Sequence, residues 1–317
     1  MKCCEAAFNN EMRFRFPTWT PFTLHKDVLK SMKKTDDLII DFHLHVGSKE
    51  MHKPFVWNWM DSFIQKGSGL DRVMDPQGEL NPAALSLLLE ENEVDYGVCL
   101  AEYSPISTGM TTNEYVSDFC KDFLRLIPFA NINPYLVTRP EDELLYCLDE
   151  LGMCGLKLLP SYQHFYPHDR RLYPMYHLAQ ERDIVVMSHT GSSIFPGTKI
   201  RYADPVFWDD IAVDFPSLKI LLVHSGRGFW YDKAAFLAQL HQNVYLEIAG
   251  LPPQNLMKYI PELDKLSSKT IFGTDWPAVS SIKNNIEIVR SLPISEASKK
   301  KILGLNAAKL LKIKDKP

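Results

Sequence analysis

The sequence contains no apolar run approaching the roughly 20 residues of a membrane-spanning helix, so a membrane partner is not expected. It also has no excess of basic charge: 35 Lys and Arg face 39 Asp and Glu, giving a net charge of −4 and a pI near 6.2. Without a basic stripe there is no electrostatic footprint for nucleic acid. Cysteine is sparse, with six in 317 residues (Cys3, Cys4, Cys99, Cys120, Cys147 and Cys154), which argues against a disulfide framework. Cys3 and Cys4 are adjacent, but no further cysteines follow at zinc-ribbon spacing, so they read as ordinary thiols rather than a metal or redox pair. The stretch Met1–Phe8 has no apolar secretory core, and a reducing, cytoplasmic setting is expected. A glycine-rich Gly-x-Gly-x-x-Gly turn is missing after the first apolar run, which continues Val46-Gly-Ser-Lys-Glu50, so a dinucleotide fold loses ground. No internal repeat or low-complexity segment is present.

What the chain does contain is a regular alternation. Eight short apolar runs read as strands: Leu38–Phe42, Tyr96–Ala101, Leu126–Ile132, Gly155–Leu159, Ile184–Ser188, Ile220–Val223, Val244–Ile248 and Thr270–Gly273. Most are continuous rather than alternating, as expected of parallel strands covered on both faces. Amphipathic stretches lie between them, and several open on Asn81-Pro82, Thr112-Asn113 or Asp204-Pro205, where a polar cap or a first-turn proline starts a helix. Eight strand–helix units predict an α/β fold of the (β/α)8 TIM-barrel type, over residues 37–317. A doubly wound open sheet is the alternative. Residues 1–36 read as an N-terminal extension. The connection 47–80, with Phe55, Trp57, Trp59 and Phe63, reads either as an active-site loop or as a surface subdomain with its own small core.

In such a barrel, chemistry sits at the C-terminal ends of the strands. The first run ends in His43-Leu-His45, and residues i and i+2 of a strand point to one face. The fifth ends in His189-Thr-Gly191, the sixth in His224-Ser-Gly226 and the eighth in Thr274-Asp-Trp276. Neutral imidazoles with a carboxylate suit Zn²⁺, and also Mn²⁺ or Fe²⁺, and leave a position open for water. His25, His52, His164, His168, His177 and His241 fall in predicted loops or helices and read as surface or satisfied histidines, although His164 and His168 follow strand four and are candidates for the pocket wall.

Taken in order, Asp41-Phe-His-Leu-His45, Gly155-Leu-Lys-Leu-Leu-Pro160, His189-Thr-Gly191, Phe272-Gly-Thr-Asp-Trp-Pro277 and Ile302-Leu-Gly-Leu-Asn-Ala-Ala-Lys-Leu-Leu311 resemble the amidohydrolase superfamily. The likeness is to its branch related to aminocarboxymuconate-semialdehyde decarboxylase. It implies one divalent metal, usually zinc, on His43, His45, His189 and Asp275. His224 would stand on or beside the metal as acid/base, and Asp275 would accept the proton of the attacking water. Lys157 would contact substrate or, carboxylated, bridge two metals. Read from its own position, Arg227 lies three residues past His224 at the barrel mouth and is either a clamp for a substrate carboxylate or a loop salt bridge, and Trp276, with Trp57 and Trp59 of the 47–80 connection, would supply an apolar wall. The partner implied is a small-molecule substrate, and the assembly a homodimer.

Two enzyme classes share this constellation, hydrolysis of an ester, lactone or amide and non-oxidative decarboxylation of an aromatic or dienoic acid. The sixth strand continues His224-Ser-Gly-Arg-Gly-Phe229, whereas decarboxylases of the branch usually show His followed soon by Gly-Gly, which favours the hydrolase. A barrel that has become a binding module is the non-enzymatic alternative, and the presence of all five polar residues argues against it.

Overall fold

In the computed structural model, residues 38–313 are described. The extension 1–36 and the Cys3-Cys4 pair lie outside them. The strands are β1 Ile40–His45, β2 Tyr96–Leu100, β3 Glu102–Ser104, β4 Gly109–Thr111, β5 Leu126–Asn131, β6 Gly155–Leu158, β7 Val185–Gly191, β8 Lys219–Arg227, β9 Val244–Glu247 and β10 Thr270–Ile271. Eight of them form one parallel sheet in the order β1-β2-β5-β6-β7-β8-β9-β10, and β3 pairs with β4 as a small antiparallel hairpin. The sheet closes on itself. Phe42 N–H donates to Phe272 O at 3.1 Å, Asp275 N–H to His43 O at 3.1 Å and His45 N–H to Trp276 O at 2.8 Å. This is the (β/α)8 barrel, and the open-sheet alternative falls because the edges meet.

Each barrel strand is buried along nearly its whole length, which matches the continuous apolar runs. Large and small side chains interdigitate between strands. Phe42 meets Phe129 edge to face at 5.6 Å, and Phe129 occupies the space beside Gly155, where an added Cβ would lie 2.3 Å from the ring.

The helices that follow the strands include α1 Pro54–Asp61, α2 Leu70–Val73, α3 Pro82–Glu91, α4 Asn113–Cys120, α5 Pro140–Asp149, α6 Pro160–Gln163, α7 Tyr173–Glu181, α8 Phe207–Asp214 and α9 Tyr231–Leu240. The expected caps form. Asn81 accepts from Ala84 N–H and Thr112 from Tyr115 N–H, each satisfying an orphan donor of the first turn. Asp204 instead accepts from Val206 N–H in the turn leading into α8.

The 47–80 connection carries α1 and α2 and has no separate core. Val56, Trp57, Met60, Leu70 and Val73 are buried in the same apolar cluster as the barrel. Among the described residues no helix is long and apolar enough to cross a membrane.

Candidate metal centre

The end of β1 places His43 and His45 on one face, as the period of two requires. Their Nε2 atoms lie 3.2 Å apart. Asp275 Oδ1 lies 3.3 Å from His43 Nε2 and 3.2 Å from His45 Nε2. What brings Asp275 there is Asp41, two residues before His43. Its buried carboxylate accepts from the N–H groups of His43 (3.1 Å) and Thr274 (2.9 Å), tying β1 to the segment after β10. Burial, resisted by those hydrogen bonds, pushes the Asp41 pKa up to about 7.

Three donor atoms 3.2–3.3 Å apart fit a metal. Tetrahedral ligands about 2.0–2.1 Å from Zn²⁺ are separated by roughly 3.3–3.4 Å. The protonation pattern also fits. His43 Nδ1–H donates to Glu247 Oε1 at 2.8 Å and His224 Nδ1–H to Ala249 O at 2.7 Å, which leaves the Nε2 lone pair of each ring unprotonated. His189 Nε2 is buried with no hydrogen-bond partner among the described residues. Its ring stands edge-on to His224 at 4.8 Å and to Tyr162 at 5.0 Å.

The donor atoms group as His43, His45 and Asp275, and as His43, His224 and Glu247, each set within 4.8 Å. His189 belongs to neither set but lines the same cavity. Burial holds His43, His189 and His224 well below the usual histidine range, so the rings are neutral. At Asp275 burial opposes ionisation, but the attraction of His43, His224 and His45 in their protonated forms, with the His45 hydrogen bond, outweighs it and keeps the carboxyl well below the usual carboxylate range. Both His224 (φ 61°) and Asp275 (φ 70°) sit in the left-handed region that non-glycine residues avoid, a strain found where a side chain must be aimed.

The cavity above these groups measures about 220 Å³. Trp59 and Met60 from α1, Tyr162 from α6 and Phe195 form its apolar wall, with Trp59 and Phe195 edge to face at 5.2 Å.

Lys157 points into the cavity from β6. It is fully buried, and its Nζ has no hydrogen-bond partner among the described residues. Burial lowers its pKa to about 8, against the attraction of Glu247 and Asp275. Arg227, at the end of β8, donates through Nε and Nη2 to Ser192 O and holds Nη1 3.7 Å from Asp275 Oδ2. Gly250 leaves room for this approach, since a Cβ there would lie 2.6 Å from both Arg227 Nη1 and Asp275 Oδ2.

Trp276 departs from expectation. It is fully buried, its indole N–H donates to Ser68 O at 2.9 Å, and it does not line the cavity. Following Asp275 on a segment that pairs with β1, its side chain turns into the core while Asp275 faces the site. Trp57 is likewise buried, donating to Ser48 O. His164 and His168 also stay off the cavity wall, and His164 Nε2 bonds Gly197 O.

Three residues that the sequence reading did not place do line or support the site. Glu247 ends β9 fully buried. Glu102 is buried on the cavity wall and accepts from Thr108 Oγ1. His52, satisfied by Ser48 O and Thr111 Oγ1, also reaches the wall. The signal for Glu247 was a lone carboxylate inside the seventh apolar run, Val244–Ile248, one residue before its end.

Comparison with known proteins agrees with this fold. An uncharacterised TIM-barrel protein from Bordetella bronchiseptica superposes with a TM-score of 0.68 at 24% identity, covering 86% of this chain and 98% of the other. A 5-carboxyvanillate decarboxylase from Novosphingobium aromaticivorans, complexed with manganese and 4-hydroxy-3-methoxy-5-nitrobenzoic acid, gives 0.60 at 14%, covering 88% and 97%. A probable 2-pyrone-4,6-dicarboxylic acid hydrolase from Acinetobacter baumannii, with citric acid bound, gives 0.60 at 16%, covering 87% and 99%. No curated protein gives a significant sequence match. The amidohydrolase family model matches residues 40–313, from the first barrel strand past the closing helix, and the chain therefore belongs to the amidohydrolase family.

Proposed function

We propose that the protein is a metal-dependent hydrolase that cleaves an ester, lactone or amide bond in a small cyclic or aromatic substrate. His43, His45, His189 and Asp275 would hold one divalent ion, Zn²⁺ or alternatively Mn²⁺ or Fe²⁺. Bound there, such an ion lowers the pKa of water and polarises the scissile carbonyl. Asp275 offers Oδ1 to the imidazole pair and keeps Oδ2 toward the cavity, beside Arg227. Ionised, Oδ2 accepts the proton of the attacking water and returns it to the leaving oxygen or nitrogen as the carbonyl–heteroatom bond breaks. Lys157 Nζ and Arg227 Nη1 orient the substrate through a carboxylate or carbonyl oxygen, and Trp59, Tyr162 and Phe195 pack its ring.

The observation that carries hydrolysis over decarboxylation is the state of His224. Its Nδ1–H is committed to Ala249 O and burial keeps the ring neutral. Nε2 can therefore accept a hydrogen bond from water but has no proton to give to a substrate carbon. The carboxy-lyase reading draws its support from the unpartnered ammonium of Lys157, which suits a substrate carboxylate. A panel of lactones, esters and anilides run beside aromatic carboxylic acids, with CO₂ release monitored, separates the two. Hydrolysis is expected, and His224→Asn is expected to retain part of it. CO₂ release that His224→Asn abolishes would replace this reading with the carboxy-lyase.

A further inference from the structure

We propose that Glu247 is a positioning residue of the metal centre, fixing the tautomer and ring orientation of His43 and the backbone of His224. The inference rests on the metal reading above.

Glu247 is fully buried, and each of its carboxylate oxygens is engaged. Oε1 receives His43 Nδ1–H at 2.8 Å, and Oε2 receives the backbone N–H of His224 at 3.2 Å. The Ala249 N–H adds a further hydrogen bond to the same carboxylate. A separation of 2.8 Å is that of a direct N–H···O hydrogen bond, so the His43–Glu247 contact is not a pair of ligands awaiting an ion between them.

A neutral imidazole carries one ring proton. With that proton on Nδ1, the His43 lone pair must sit on Nε2, which faces His45 Nε2 and Asp275 Oδ1. The opposite tautomer would set a lone pair against the Glu247 carboxylate and an N–H where a cation should bind. Through this contact Glu247 makes His43 a ligand rather than a donor.

The second contact works on His224, whose φ of 61° has little intrinsic support. Its amide is held by Oε2 while Ser225 Oγ donates to Glu247 O at 2.9 Å, so β9 clamps the turn that aims the His224 ring. One carboxylate on β9 thus sets groups on both β1 and β8. Partners of this kind typically govern 10–100-fold in metal affinity.

The test uses the full chain, stripped of metal and titrated with Co²⁺ against a competing chelator, for the wild type, Glu247→Gln and Glu247→Asp. Glutamine keeps the volume but accepts through one oxygen only, so the contact to His43 Nδ1–H or to the His224 N–H is lost, while aspartate falls short of Nδ1. Both variants should bind Co²⁺ about 10–100-fold more weakly, with altered visible absorption of the bound ion and an unchanged metal-free circular dichroism spectrum. Variants that bind within twofold of the wild type, with the same absorption, would overturn the proposal. A wild type that takes up no Co²⁺ would instead contradict the metal reading itself. The tautomer is tested independently by ¹⁵N NMR of histidine-labelled, metal-free wild type, where His43 is expected protonated on Nδ1. An Nε2-protonated His43 would overturn the proposal whatever the variants do.

Discussion

Replacing Lys157 by methionine should stabilise the metal-free protein while damaging the enzyme. The ammonium is fully buried, and no described residue hydrogen-bonds it. Burial, only partly offset by Glu247 and Asp275, lowers its pKa from 10.5 to about 8. At about 1.4 kcal/mol per pKa unit, keeping this group charged in the fold costs on the order of 3 kcal/mol at neutral pH. Part of that cost would return on substitution. The lowered pKa already contains the Glu247 and Asp275 attractions, and with relaxation of the groups around a buried charge taking up about half of the cost, the expected net gain is about 1–2 kcal/mol.

The sign follows from the depressed lysine pKa. The penalty is complete below about pH 8, where folded and unfolded states are both charged, and it disappears as the pH rises to 10.5. Urea unfolding at pH 7 should therefore show Lys157→Met with a midpoint higher by about 0.5 M, and the advantage should shrink toward pH 10.5. Substrate affinity should fall about 10–100-fold, the worth of a charged hydrogen bond in a buried site. A variant less stable than the wild type at pH 7, or an advantage unchanged at pH 10.5, would refute the reasoning.

Asp275→Asn should lose both the metal donor and the proton acceptor, lowering kcat/KM by about 10³-fold or more with depleted metal content, checked by steady-state kinetics and elemental analysis. Because burial keeps His224 and His189 neutral well below their ordinary range, activity needing their lone pairs should persist below the ordinary histidine pKa of about 6.5. An acid limb at or above that value in the pH–kcat/KM profile would count against neutral, buried rings. Gly155→Ala drives a Cβ to within 2.3 Å of the Phe129 ring and should destabilise by about 1–3 kcal/mol in urea unfolding, with little change in kcat. A loss under 0.5 kcal/mol would mean that the barrel absorbs the extra methyl.

Much of the fold was legible because each barrel strand is a short apolar run, and parallel strands covered on both faces leave that trace directly. The runs understated three of them, and β1 extends past Phe42 to His45. β7 and β8 extend through His189 and His224 to Gly191 and Arg227, since polar residues at a barrel mouth remain in the ladder. The hairpin β3–β4 was not legible, because strands of three residues have no period to read. The 47–80 segment concealed its helices behind aromatics that serve the common core. Of the site, the histidines and Asp275 announced themselves by recurring at strand ends, and Lys157 by its strand. Glu247 did not, because one glutamate next to the end of an apolar run looks like the point where a strand nears solvent. Trp276 misled for the converse reason. Adjacency in sequence to Asp275 says nothing of direction, and the chain turns its indole into the core.

The central claim is that a metal held by the β1 histidines and Asp275 turns water onto a carbonyl. Its most direct test is single-turnover hydrolysis in H₂¹⁸O by chelator-stripped protein, before and after adding one equivalent of Zn²⁺ or Mn²⁺. The account predicts turnover of a lactone, ester or anilide only after metal is restored, with one ¹⁸O in the product acid. Hydrolysis undiminished by stripping, or CO₂ released from an aromatic acid in place of ¹⁸O uptake, would contradict it.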